Sequence, residues 1–571
     1  MKLTFDTLQE CLTAFNVIDA EINKNGHKKI CVIFKNIRSF KKWNITPLSS
    51  LNILTGPNSS GKSTLAQIIS NLRKSKFKKY LQFNGEKIIA SSFIGISMDW
   101  KEYKKGSFDP YFYRSSVHWR HLWDITEKFD REENRVQSGT IKEPKRLTII
   151  GESQGSEFGI SLYAFVDQEL VGFFTVETYD DDELYFRISK KFWEKLFKPD
   201  FCEEINQEIA STPEYFKSKD PHKLNKEIIG DQKIDSPGYF MDINSFKFNF
   251  DDGPNIYFGD NIKSLDEITY SLICLSILFF KPFNYVEQCS GDVLPSIRPI
   301  STPIELQYKF QFGERSKDLG DQFSGVLEEV SSDTADSFKK LAVEITNEKL
   351  KRFDWNCGTQ NLKEVIYWLK EILNESYKLA YRYNEIVLKE KKHPFVNQRK
   401  VNIKIVKNIF IEFFLVDKNK NQLDFKDVGT GISQVLPVIS SIINSDHLVF
   451  LQPELHLHPK AQAILGDLFI YAIKKQIDRN KRHSGIPTHQ VTVETHSEHL
   501  ILRLLRRIKE NDNQELNTFF SNKNLSLIYI NPQKEGSEIY WIRVDRYGEF
   551  VDVWPNGFFE DRYEDLFFIK K

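Results

Sequence analysis

Short apolar runs bounded by polar turns dominate both ends of the chain, while helical spacing takes over in its middle. After a charged helical stretch, Ile30-Cys31-Val32-Ile33-Phe34 and Leu51-Asn52-Ile53-Leu54-Thr55 read as strands, and Thr64-Leu65-Ala66-Gln67-Ile68-Ile69 reads as helix. Between about 145 and 190 the runs Leu147–Ile150, Phe158–Phe165 and Val171–Val176 are β-rich and separated by polar or glycine-containing turns, which predicts an antiparallel arrangement. Beyond 190 the texture changes. Asn361–Tyr383 carries Leu, Ile, Trp and Tyr at helical spacing with charges between, which predicts a mainly helical insertion over 191–395. Strands return near Val401: Leu448–Leu451 after an apolar helix through Ile443, then Val491–Val493, then the aromatic Ser526–Trp554. The longest apolar run, Tyr270–Phe280, falls short of the ~20 residues that span a bilayer and reads as a buried helix.

Composition narrows the function classes. Of 571 residues, 79 are basic and 79 acidic, so no global field steers the protein to phosphate and any nucleic-acid affinity must be local. The six cysteines show no C-x-x-C pair, which argues for a reducing cytoplasm and against a zinc or disulfide framework. Met1–Asp6 lacks the charged-then-apolar design of an export signal, so a cytoplasmic protein without a membrane anchor is expected. Asp180-Asp181-Asp182-Glu183 reads as a solvated loop.

The chemistry begins at Gly56-Pro57-Asn58-Ser59-Ser60-Gly61-Lys62-Ser63-Thr64, a G-x-x-x-x-G-K-S-T run between a strand and a helix. Gly56 and Gly61 permit the turns that aim backbone N–H groups at phosphates, and the helix N-terminus adds its positive dipole end. In such a loop Lys62 reaches the β/γ-phosphate oxygens and Ser63 holds Mg²⁺, so ATP and Mg²⁺ are the expected cofactors.

A second constellation follows near the C-terminal end. Asp427-Val428-Gly429-Thr430-Gly431-Ile432-Ser433-Gln434 leads into the apolar helix, and the strand Leu448–Leu451 leads into Gln452-Pro453-Glu454-Leu455-His456-Leu457-His458-Pro459. The strand Val491–Val493 ends in Glu494-Thr495-His496-Ser497-Glu498-His499-Leu500. Taken in this order after a phosphate loop, these segments resemble the head of the ATP-binding-cassette superfamily, in the branch shared by structural-maintenance-of-chromosomes (SMC) proteins and overcoming-lysogenization-defect ATPases. With Trp554-Pro555-Asn556-Gly557-Phe558-Phe559, they are similar to prokaryotic ATPases that serve antiphage systems of the Septu-like and retron-linked kinds.

The resemblance implies an α/β ATPase head in two halves, 28–190 with an antiparallel β subdomain and 396–571 with a β-rich tail, after a helical extension over 1–27 and around the 191–395 insertion. It implies that Gly429, Gly431, Ser433 and Gln434 form a signature loop contacting nucleotide on a second molecule, that His496 is the switch histidine, and that Leu455–Pro459 crosses the dimer seam. A homodimer or higher homo-oligomer is therefore expected, controlling a separate effector protein, a nuclease. Glu454, His456 and His458 belong to that seam in this reading; a metal site is the competing one.

One departure bears on mechanism. Family heads end this strand with a metal-shell carboxylate and a water-activating glutamate, where this chain has Leu451 and Gln452. Leucine cannot hold the metal's water, and glutamine orients water without taking its proton. Hydrolysis is then expected to be slow, with Gln452, Glu454 and His496 as candidate catalytic residues, or to recruit Glu494. The alternative function is a DNA-stimulated SMC-like ATPase. Basic residues interleaved with aromatics at Arg73–Tyr80 and Tyr113–His121, and the basic helix face Arg503, Arg506, Arg507 and Lys509, suit nucleic-acid contacts on that reading and a solvated surface on the other. About seventy residues follow His496, fewer than the roughly 100 of an additional domain, so nuclease activity is expected in another protein.

Overall fold

A computed structural model describes residues 1–25, 30–73, 92–100, 145–153, 160–177, 183–189, 405–425, 427–428, 430–444, 447–480, 490–512 and 519–555. Between 190 and 404 it also describes 217–218, 238–242, 246–249, 255–258, 292–294, 304–311, 324–329, 360–373 and 377–389, with Ile228, 341–343 and 345–346. The run Tyr270–Phe280, both basic-aromatic stretches beyond Arg73, Gly429 and Asn556–Phe559 lie outside the described residues. The chain divides into two compact units: Met1–Gly291 with Ile477–Glu494 and Arg507–Lys571, and Asp292–Gln476 with Thr495–Arg506.

Two sheet systems of the first unit position the site. A 10-stranded antiparallel sheet includes Ile30–Lys35, flanked by Trp43–Leu48 and Ser92–Asp99, and continues through Arg146–Ser153, Ile160–Val166, Glu169–Glu177 and Glu183–Ile188. The antiparallel arrangement expected for 145–190 is present. Helix Leu8–Asn25 begins with a capping box, in which Thr7 Oγ1 accepts from Glu10 N at 3.2 Å and Glu10 Oε2 accepts from Thr7 N at 3.2 Å. Its buried Leu8, Cys11, Leu12, Phe15 and Ile18 fall on one face at helical spacing. Arg146, only 2% exposed, extends from its strand to this helix, pairing with Asp19 and lying 4.5 Å over the ring of Phe15.

The second system in this unit joins distant parts of the sequence. Leu51–Thr55 is hydrogen-bonded in parallel on one side to Val491–Glu494 and on the other to Leu525–Gln533, which turns back on Gly536–Ile542. Its five residues are all buried, as expected of a parallel strand covered on both faces. The tail is anchored by Trp554, packed edge-on against Tyr529 and Phe550 at 5.7 and 5.2 Å between ring centroids.

In the second unit, Ile405–Asp417 is the central strand of an antiparallel sheet, with Tyr377–Lys389 on one side and Ile304–Gln311 on the other. Helix Gln360–Leu373 packs against helix Thr430–Asn444, whose buried Ile432, Val435, Leu436, Ile439, Ile442 and Ile443 repeat at helical spacing. Strand His447–Leu451 pairs in parallel with Asp292–Leu294. The helix expected over Asn361–Tyr383 ends at Leu373, and Tyr377–Tyr383 is strand. The reason is alternation: Leu379 is buried between the exposed Lys378 and Arg382, while Tyr377, Ala380, Tyr381 and Tyr383 are intermediate, so one face of a two-residue period lies on the sheet. Elsewhere between 191 and 395 the described residues are in strands, apart from the helical Ile228, 341–343 and 345–346.

Candidate functional site

The phosphate-loop sequence adopts a tight turn between its strand and helix Lys62–Arg73. Gly56 has φ +139°, and a Cβ there would lie 2.2 Å from the Ile530 carbonyl oxygen, so no other residue fits without moving that strand. Gly61 has φ +105°, and a Cβ would meet Ser39 Oγ at 2.6 Å and the Phe40 ring at 3.0 Å. Ser59 also takes a left-handed φ of +59°. Pro57, Asn58, Ser59 and Ser63 are exposed, while Ser60, Lys62 and Thr64 are buried.

Lys62 is 4% exposed, and its Nζ donates to the carbonyl oxygens of Gly56 at 3.1 Å and Pro57 at 2.7 Å. Glu494 ends the neighbouring strand, in register with Leu54, and its carboxyl accepts a hydrogen bond from Ser63. Burial pushes that carboxyl up, against the opposing effects of the Ser63 hydrogen bond and the Lys62 charge. Glu494 is 3% exposed, and its Oε2 has no hydrogen-bond partner; the hydroxyls of Thr55 and Ser60 are likewise buried and unpartnered. A hydroxyl and a carboxylate are the oxygen donors that Mg²⁺ takes, so the residues present fit that ion. When bound with a nucleotide, Mg²⁺ neutralises phosphate charge.

A separate cluster forms within the second unit. Ser433 Oγ donates to the Thr430 carbonyl at 3.0 Å in the first turn of its helix, and a Cβ on Gly431 would lie 2.6 Å from the His456 carbonyl oxygen. Gln452 and His456 have φ of +45° and +62°, marking a strained turn after strand His447–Leu451. Glu454 is 6% exposed and its Oε1 accepts from His496 N at 2.7 Å, so the two candidate catalytic residues are tied together through the backbone. His458 precedes helix Pro459–Asn480, where its carbonyl accepts from Ala461 and Gln462 N and its Nδ1 accepts from Lys460 N at 3.3 Å. Pro at the first helical position suits this start. A cleft of about 450 Å³ is lined by Gly431, Ile432, His456, Leu457, His458 and neighbours. Among the described residues no group of three His, Cys, Asp or Glu is arranged to hold a metal, so the metal alternative for Glu454, His456 and His458 finds no support there.

A family model described as AAA ATPase domain matches residues 29–501. The chain belongs to this family. It is therefore an ATPase, and nucleotide binding goes with that membership. No curated protein matches it. A crystal structure of an SMC head bound to the C-winged-helix domain of ScpA is similar over 90% of this chain and 98% of its own, at 10% identity and a TM-score of 0.32.

Of the residues singled out in this ATPase's sequence, Gly56–Thr64 form one continuous loop-helix unit, and Gly431, Ser433, Gln452, Glu454 and His496 lie in the second unit. Sequence spacing alone did not place Glu494 among the leading candidates. Its position at the end of an apolar strand, two residues before His496, was the available signal. On the basic helix face Arg503 makes a two-pronged bond to Asp467, Arg507 pairs with Glu510, and the exposed Lys509 lies 3.5 Å from Glu549. No helix among the described residues is long and apolar enough to cross a membrane.

Proposed function

We propose that this ATPase is the ATP-binding scaffold subunit of a cytoplasmic antiphage system, closing as a homodimer around MgATP and controlling a separate nuclease effector. The observation that carries the reading is a fully formed phosphate loop alongside Leu451 and Gln452 at the end of the strand where an acidic pair is expected. Such a chain holds nucleotide better than it turns it over, which suits a state that must persist until infection changes it. Gly56–Thr64 bind the phosphates, with Lys62 moving from the loop carbonyls to the β/γ oxygens and Ser63 on Mg²⁺. Gly429, Gly431, Ser433 and Gln434 of one protomer face the nucleotide of its partner, and His496, whose backbone N–H is held by Glu454, senses the γ-phosphate. Pairing of Arg503 and Arg507 with acidic partners weighs against a DNA-working motor.

The test is copurification with the products of adjacent genes, with and without ATP, combined with sedimentation and turnover assays. Expected are an ATP-dependent dimer that Ser433→Arg weakens, slow hydrolysis, and effector retained only with ATP. Robust hydrolysis stimulated many-fold by duplex DNA would assign the chain to chromosome maintenance or repair instead.

A further inference from the structure

We propose that Glu494 is the carboxylate that holds the nucleotide's Mg²⁺ with Ser63, taking over the role that Leu451 cannot perform. This rests on the assignment of Gly56–Thr64 as the nucleotide site. The strand Val491–Glu494 runs parallel to the phosphate-loop strand and ends level with it, so Glu494 pairs with Leu54 just before the chain enters the loop at Gly56. Its carboxyl bonds the hydroxyl of Ser63 and lies in the field of Lys62, the two residues whose types serve metal and phosphate in such loops.

A purely structural carboxylate in so buried a place would be expected to have both oxygens satisfied, because burying an unpaired acceptor is costly. Glu494 instead keeps Oε2 inside the protein with no hydrogen-bond partner. A divalent cation would supply what is missing, a partner for the idle oxygen, with the Ser63 oxygen as a neighbouring donor. Glu454, the other buried acid near a motif, accepts from the backbone of His496, whereas the donor to Glu494 is Ser63 of the phosphate loop itself. The residue would supply a ligand and no proton transfer, so the slow turnover proposed above stands together with Mg²⁺-dependent nucleotide binding.

Binding of a fluorescent ATP analogue to the full chain, measured with Mg²⁺ and again with EDTA, separates the two ideas. Wild type is expected to bind in EDTA and to gain at least tenfold in affinity with Mg²⁺. Glu494→Gln should keep the EDTA affinity, or raise it because a negative charge beside the phosphates is gone, and lose most of the Mg²⁺ gain; Glu494→Asp should restore part of it. Electron paramagnetic resonance of Mn²⁺ with ATP should show protein-bound Mn²⁺ in wild type and its loss in Glu494→Gln. An undiminished Mg²⁺ gain in Glu494→Gln overturns the inference, as does loss of EDTA binding in that variant or failure of Asp to restore any gain. Absence of ATP binding by wild type in both conditions would instead overturn the nucleotide-site assignment.

Discussion

The ammonium of Lys62 sits 2.7 Å from the carbonyl oxygen of Pro57, folded back onto the loop that precedes it. The side chain thus occupies, within its own loop, acceptors that a phosphate would replace. Lys62→Ala should leave the fold intact and weaken ATP binding by roughly 10–100-fold, the worth of one charge-assisted contact of about 1.5–3 kcal/mol. Calorimetric titration checks this, and unchanged affinity would remove Lys62 from the site.

Gln452 is isosteric with glutamate, so Gln452→Glu adds a proton acceptor without altering the left-handed turn at φ +45°. A general base typically contributes ~10²–10⁴-fold, so turnover should rise visibly, and further with Leu451→Asp. Steady-state phosphate release is the readout. No increase in either variant would mean that water is already activated by another group or cannot reach the phosphate.

Arg146 is expected to be a stability determinant. Its guanidinium pairs with Asp19, donates to Ser97 Oγ at 2.8 Å and lies beside Cys31 Sγ at 3.3 Å. Arg146→Ala would strand a partly buried carboxylate and cost about 3–5 kcal/mol, measurable by urea unfolding. Burial pushes the Cys31 thiol up to about 12 against the pull of Arg146, and burial raises Cys11 as well. Both thiols should resist a thiol reagent at neutral pH in the native wild type and become labelled as the Arg146→Ala variant opens.

Acid should loosen the tail that carries Trp554. Burial disfavours the charged form of Asp552, but bonds from Arg543 N, Nε and Nη2 at 2.8–2.9 Å outweigh it and hold the carboxyl below its ordinary 3.8. A lowered folded-state pKa means the stabilisation is complete above the ordinary value and is lost as pH falls below it. Asp552→Asn should cost about 1.5–3 kcal/mol at neutral pH and flatten the acid limb of a melting-temperature profile; an unchanged acid limb would remove Asp552 as its source.

Much of the phosphate loop was legible because its chemistry is local: two glycines, a lysine and a hydroxyl between an apolar strand and a helix specify one turn. The antiparallel run from Arg146 to Ile188 was legible for the same reason, through alternation and turn residues. Tyr377–Tyr383 misled because aromatic residues there fit either period over a short window, and pairing with Ile405–Asp417 decided it. Glu494 was hard to rank because its partner Ser63 is brought to it only by strand pairing across most of the chain. Arg503 looked like open surface charge until Asp467, on another helix, came opposite it.

The strand that feeds the phosphate loop has late-synthesised neighbours on both sides, Val491–Glu494 and Leu525–Gln533, and Gly56 is pressed against the backbone of Ile530. On the ribosome, the loop therefore emerges hundreds of residues before the walls that shape it. Its apolar strand must wait through synthesis of several hundred further residues for either native neighbour, an interval in which such a segment is open to aggregation and to chaperones. A ribosome that stalls before Leu525 therefore leaves a chain whose motif is complete in sequence but lacks the strand that Gly56 is pressed against.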